Sequence, residues 1–174
     1  MYKVMDTVLY GMHGVCIIIE IAERTLGEKS VEYYILRPVY DPRSTIFIPV
    51  GSEALTARMR RILSIGEIYA LVKTMPDEST IWIDNDNLRG ERYRKILSYA
   101  DQAELVRLIK TLYLHQQTQK EKGKKLHAAD ARFMKDAEKI LFEEFAYVLN
   151  IQREQVLPFI LEQLPAAEKI AAGS

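Results

Sequence analysis

At 174 residues the chain has room for one large domain or two small ones, and its 48% hydrophobic and 28% charged content describes a globular protein with an ion-rich surface. Its 24 Lys/Arg balance 24 Asp/Glu, so no global basic field marks a strong autonomous DNA binder; a weak binder guided by a protein partner stays open. One cysteine excludes an internal disulfide and fits a reducing cytosol, and no segment approaches the ~20 apolar residues of a membrane span.

The first fifty residues read as short strands. Residues 7–10 are Thr-Val-Leu-Tyr, and Gly11 and Gly14 then supply a turn. Residues 15–21 are a β-branched run too continuous for a strand with one wet face, which predicts a central strand. A turn at 26–29 leads to a third strand over 31–36, and Asp41-Pro42-Arg43-Ser44 turns the chain into a fourth over 45–48. Pro38 and Pro49 lack a backbone donor, so the strands they border are expected at a sheet edge or ending on one. Short strands with closely spaced turns predict a small SH3-like or Tudor-like β-barrel.

After Gly51 the period becomes helical. Ser64 with Glu67 reads as a capping box, opening a helix with Ile65, Ile68, Tyr69, Val72 and Met75 on one face and Pro76 beyond its end. A loop carries Trp82, and 88–98 predicts a short helix. Asp101 with Glu104 is a second capping box, starting a long helix that ends by Gly123. Residues 130–149 predict another, with Met134, Ala137, Ile140, Leu141, Phe145 and Val148 inward and Asn150 at its C-terminal cap. A last short helix holds Val156, Phe159 and Ile160.

Catalytic signals are lacking. Cys16 and His13 could form a nucleophile–base pair, but Cys16 lies inside an apolar strand, where thiols pack and stay inert. His13, His115 and His127 have no neighbours at metal-ligand spacing, and no phosphate loop or Gly-x-Ser-x-Gly motif is present. No catalytic residue, metal or cofactor is therefore assigned.

Binding signals are stronger. Arg89, Arg92, Arg94 and Lys95 cluster with only Glu91 opposing them, either as a basic stripe for phosphates or as a solvated helix face. Lys120, Lys122, Lys124, Lys125 and Arg132 form a second basic group, with helix termination as the alternative reading. Trp82, the sole tryptophan, is either a core ring or a partly exposed one able to wedge beside a base step.

The order of these pieces resembles the CarD/CdnL family of bacterial transcription regulators over most of the chain. The residues that carry the likeness are 6–15 (Asp-Thr-Val-Leu-Tyr-Gly-Met-His-Gly-Val), Glu32-Tyr33-Tyr34-Ile35-Leu36, the Ile48-Pro49 strand end, and Trp82 where the family's DNA-facing tryptophan is expected. The N-terminal part resembles the RNA polymerase interaction domain that this family shares with transcription–repair coupling factor.

The resemblance implies a non-enzymatic, cytoplasmic regulator, nucleoid-associated through RNA polymerase and monomeric. Its barrel would bind the polymerase β subunit through Arg24 and the strand Thr45, Ile46, Phe47, Ile48 and Pro49, in part by strand pairing. Its helices would meet promoter DNA at the upstream edge of the bubble, weakly and without sequence preference when alone. Trp82 would wedge there, while Arg89, Arg92, Arg94, Lys95, Lys124, Lys125 and Arg132 would hold phosphates, altering open-complex lifetime. Two positions depart from the family pattern. Phe47 occupies a position for arginine, and Ile83-Asp84-Asn85-Asp86 follows Trp82 where basic residues are expected. The rival function is a protein–protein adaptor whose helices never touch DNA.

The expected fold is therefore a β + α two-domain arrangement. A small SH3/Tudor-like β-barrel over 1–52 precedes an all-α helical bundle over 53–165, and a frayed tail covers 166–174.

Overall fold

The computed structural model describes residues 1–164, so the expected tail at 166–174 lies outside the described residues. An antiparallel five-stranded sheet opens the chain: β1 (Thr7–Tyr10), β2 (Val15–Leu26), β3 (Lys29–Pro38), β4 (Ile46–Pro49) and β5 (Met59–Arg61), in spatial order β4-β3-β2-β1-β5. Helices follow: α1 (Glu53–Thr56) ahead of β5, then α2 (Ile65–Thr74), α3 (Asp86–Tyr99), α4 (Gln102–Glu121), α5 (Ala128–Leu149) and α6 (Val156–Gln163).

The apolar run in β2 is explained by burial on both faces of a central strand. Cys16 and Ile18 join Val8, Tyr10, Tyr34, Leu36, Ile48 and Met59 in the core of the sheet itself. Val15 and Leu9 point the other way, into a core shared with Tyr93, Ile96, Leu97, Leu105, Leu108 and Ile140 of the helices. Side chains alternate along a strand, so a sheet sandwiched between its own interior and a helical layer needs apolar residues at successive positions. A register shift between Ile18 and Glu20 bends β2 and strengthens its twist.

β2 and β3 run further than expected, to a hairpin turn at Gly27 with φ +67°. The sheet also takes in β5, past the expected boundary at 52, where the sequence reading placed only helix. Three residues carry too little pattern to announce a strand; β5 exists because β1 offers it an edge, pairing Tyr10 with Met59 and Val8 with Arg61. Pro38 ends an interior strand, while Pro49 closes the edge strand β4.

In both predicted capping boxes the N-cap side chain accepts as expected. Ser64 Oγ accepts from the Glu67 N–H and Asp101 Oδ1 from the Glu104 N–H. The glutamate carboxylates also meet arginines, Glu67 pairing with Arg61 while it keeps its contact with Ser64, and Glu104 pairing with Arg92 and Arg107. On α2 only Ile68 and Val72 are buried, while Ile65 and Tyr69 are exposed. α5 buries Ala137, Ile140, Leu141 and Phe145 as its periodicity predicts, and Asn150 caps it in the left-handed conformation.

Candidate functional site

Two surfaces carry the residues singled out in the sequence. The first is the β4 edge. β4 pairs with β3 on one side only, matching Leu36 with Ile46, Ile35 with Phe47 and Tyr34 with Ile48. The Val50 N–H donates to the Glu32 carbonyl at 2.9 Å, continuing that register. Backbone groups alternate along an antiparallel strand, so Ile46 and Ile48 also turn theirs toward β3, and those of Thr45, Phe47 and Pro49 face outward. Proline has no donor, which leaves the Phe47 N–H as the outward donor within β4. Ile48 is fully buried and Ile46 half-buried, whereas the Phe47 ring is 50% exposed and rests edge-on against Tyr33, centroids 6.0 Å apart. Arg24, on the exposed part of β2, pairs with Glu20 at 3.3 Å.

The second surface is built around Trp82, on a loop fastened to α4 at several points. Lys110 Nζ donates to the carbonyls of Met75, Pro76 and Glu78 at 3.3, 2.7 and 2.8 Å. Arg107 Nε donates to the Glu78 carboxylate at 2.8 Å. Thr111 Oγ1 accepts from the Ile81 N–H at 2.9 Å, and the Tyr93 hydroxyl donates to the Ile81 carbonyl at 3.3 Å.

Trp82 itself is half-buried, and three side chains meet its ring. The His115 imidazole stacks on it with centroids 3.8 Å apart and planes 19° from parallel. The Arg89 guanidinium carbon lies 4.3 Å from the ring centroid, a cation–π contact. The indole N–H donates to Asp84 Oδ1 at 2.9 Å.

Arg89 is 4% exposed and forms a bidentate ion pair with Asp130, itself 2% exposed, both bonds 3.0 Å. It donates also to Asp86 at 2.8 Å and to the Ile83 carbonyl at 2.8 Å. Burial disfavours its charge, but the hydrogen bonds it donates to Asp130 and Asp86 outweigh that and hold its pKa above the ordinary arginine value. Arg89, expected from the sequence as a phosphate contact, has its donors engaged inside the protein, and its guanidinium lies over the Trp82 ring. The acidic run after Trp82 is committed too, Asp84 to the indole, Asn85 to the α3 N-cap and Asp86 to Arg89.

The other predicted cations remain at the surface. Arg92 is engaged with Glu104 at 2.9 Å. Arg94, Lys95, Lys124, Lys125 and Arg132 are exposed and form no ion pair among the described residues. The N-terminal parts of α3 and α5 meet at a cavity of about 370 Å³ lined by Arg89, Gly90, Arg94, His127 and Asp130, among others; of the two basic groups of the sequence only the first lines it.

The contributions of His115, Asp130, Thr111, Lys110 and Asp84 were not read from the sequence. Asp130 lies 41 residues from Arg89 and Thr111 lies 30 from Ile81, so no local spacing announces either contact.

Residues 2–63 match the family model of the CarD-like/TRCF RID domain. The N-terminal domain belongs to this CarD-like family. The match ends just past β5, so the RID domain includes the strand that the sequence reading missed, and its sheet has the Tudor-like fold. The chain is also 23% identical over 168 residues to the Bacillus subtilis (strain 168) protein named "Putative transcription factor YdeB", covering 91% of this chain and 99% of that one. A RID domain makes the protein a transcription-associated, RNA polymerase-interacting one. Among the described residues no helix is long and apolar enough to cross a membrane.

Proposed function

We propose that this CarD-like protein docks on the RNA polymerase β subunit through the β4 edge of its RID domain and sets Trp82 against the upstream edge of the promoter bubble, changing open-complex lifetime. The observation that carries the reading is the open β4 edge on a RID domain, with an outward N–H at Phe47 and an exposed ring beside it. Such an edge accepts a further strand by main-chain pairing, and the ring adds contact area and register. The DNA half is supported by Trp82 on a loop fastened to α4, with the exposed Arg94 lining a cavity beside Arg89, whose guanidinium lies over the ring. An apolar ring fills the gap at a partly unstacked base step, and a bubble edge offers such a step ready-made. Few free cations imply few phosphate contacts, so binding is weak until polymerase raises the effective concentration.

The adaptor reading is favoured by one observation, the carboxylate of Asp84 held beside the indole, where it repels phosphate. One pair of substitutions tests both surfaces. Phe47→Pro removes the outward donor while sparing the β3–β4 bonds, and should weaken polymerase binding at least tenfold. Trp82→Ala should leave polymerase binding intact and shorten open-complex lifetime about tenfold, for a loss of ~1.4 kcal/mol. Unchanged binding in a folded Phe47→Pro variant would remove strand pairing, and unchanged decay in Trp82→Ala would leave the adaptor.

A further inference from the structure

We infer that His115 is a positioning residue: its imidazole holds the Trp82 indole in the orientation that the bubble-edge contact uses. The inference rests on the DNA-facing reading of Trp82 given above. It is carried by the completeness with which the ring is fixed. The loop backbone beside it is tied at Ile81 by Thr111 and Tyr93. Rotation in the ring plane is fixed by the indole N–H on Asp84. Arg89, itself anchored by Asp130, contacts the ring 4.3 Å from its centroid. Tilt out of that plane is resisted by the His115 stack at 3.8 Å and 19°.

His115 is well suited to this task. It stands on α4, a 20-residue helix whose first half carries the loop's other tethers, and its Nε2 lies 3.3 Å from Gln119 Nε2 one turn further on. Among the described residues no group of three potential metal ligands includes it. An indole free to sample rotamers loses that freedom on inserting at a base step, whereas a ring already stacked has lost it in the folded protein.

Because Trp82 is the only tryptophan, its fluorescence reports this ring alone in the full chain. Time-resolved anisotropy of the parent should show overall tumbling only. His115→Ala should add a fast local component, and His115→Phe, which restores a stacking ring, should suppress it. On polymerase–promoter complexes His115→Ala should shorten open-complex lifetime about two- to tenfold, the effect of freeing one side chain. His115→Phe should recover most of it, and His115→Ala should add nothing in a Trp82→Ala background. A Trp82 ring that stays rigid in His115→Ala overturns the positioning role alone. So does a His115→Ala effect that persists without Trp82. Unchanged decay in Trp82→Ala by itself overturns the bubble-edge reading and the positioning role together.

Discussion

Arg60 on β5 and Glu144 on α5 form a two-bonded ion pair at 2.9 and 2.8 Å across the junction between sheet and helices. Glu144 is fully buried, and its Oε2 also accepts from the Leu63 N–H at 2.9 Å. Arg60 Nε adds a 2.7 Å bond to the Ala100 carbonyl at the end of α3. A strand of three residues thus fixes the RID domain on two helices. Removing one partner leaves a buried charge uncompensated, so Glu144→Ala should cost ~3–5 kcal/mol in denaturant unfolding. Replacing both, as Arg60→Met with Glu144→Leu, should recover part of that loss, because the desolvation cost disappears with the charges while the Leu63 N–H and the Ala100 carbonyl lose these partners.

Gly11 tests the same junction from the other side. Its φ is +46°, and a Cβ there would stand 2.7 Å from the Ser98 carbonyl oxygen on α3. Gly27, at φ +67°, has nothing within 4 Å of such a Cβ. Both positions carry the left-handed penalty of ~1–2 kcal/mol when given a side chain. Gly11→Ala adds a backbone clash, so thermal or denaturant unfolding should show it worse than Gly27→Ala by a further ~1–3 kcal/mol, the usual range for overpacking.

The Cys16 thiol is fully buried, and burial pushes its pKa from an ordinary 9.0 up to about 12. Between those values the unfolded chain releases a proton that the folded chain keeps. Stability is therefore complete below pH 9.0 and falls as pH rises toward 12, by roughly 1.4 kcal/mol per pH unit from this group. Burial also raises Tyr2, Tyr40 and Tyr93, which titrate in the same sense. The test is thus the difference in slope between the parent and Cys16→Ala, measured by denaturant unfolding from pH 8 upward. Equal slopes would mean the thiol ionises freely in the folded state.

The basic residues around Trp82 divide by burial. Arg89→Ala breaks a buried pair and should cost ~3–5 kcal/mol of stability. Arg94 and Lys95 are exposed and unpaired among the described residues, so Arg94→Ala with Lys95→Ala should leave unfolding nearly unchanged. If they hold phosphates, the double variant should weaken polymerase-assisted DNA contact and lower its logarithmic salt slope by about two, one per contact. An unaltered salt slope would take both residues out of the DNA surface.

Much of the architecture was legible because neighbours in the chain encode it. The central position of β2 followed from its unbroken apolar run, and α5 from the spacing of Ala137, Ile140, Leu141 and Phe145. Asn150 and Gly123 marked helix ends through local backbone conformation alone. These features depend on residues a few positions apart, whose geometry repeats with the strand or helix period.

What the tertiary structure decided are the roles of charged and aromatic side chains, which depend on who lies opposite. Arg89 and Arg94 are five positions apart on one helix, yet Asp130 buries the first while the second stays in solvent. β5 exists because β1 has a free edge. Trp82 turned out neither loose nor wholly core, because His115, Arg89 and Asp84 converge on it from α4, α3 and its own loop. A sequence specifies its periodicities locally, but a hydrogen bond or a stacked ring needs a partner that only the folded chain brings within reach.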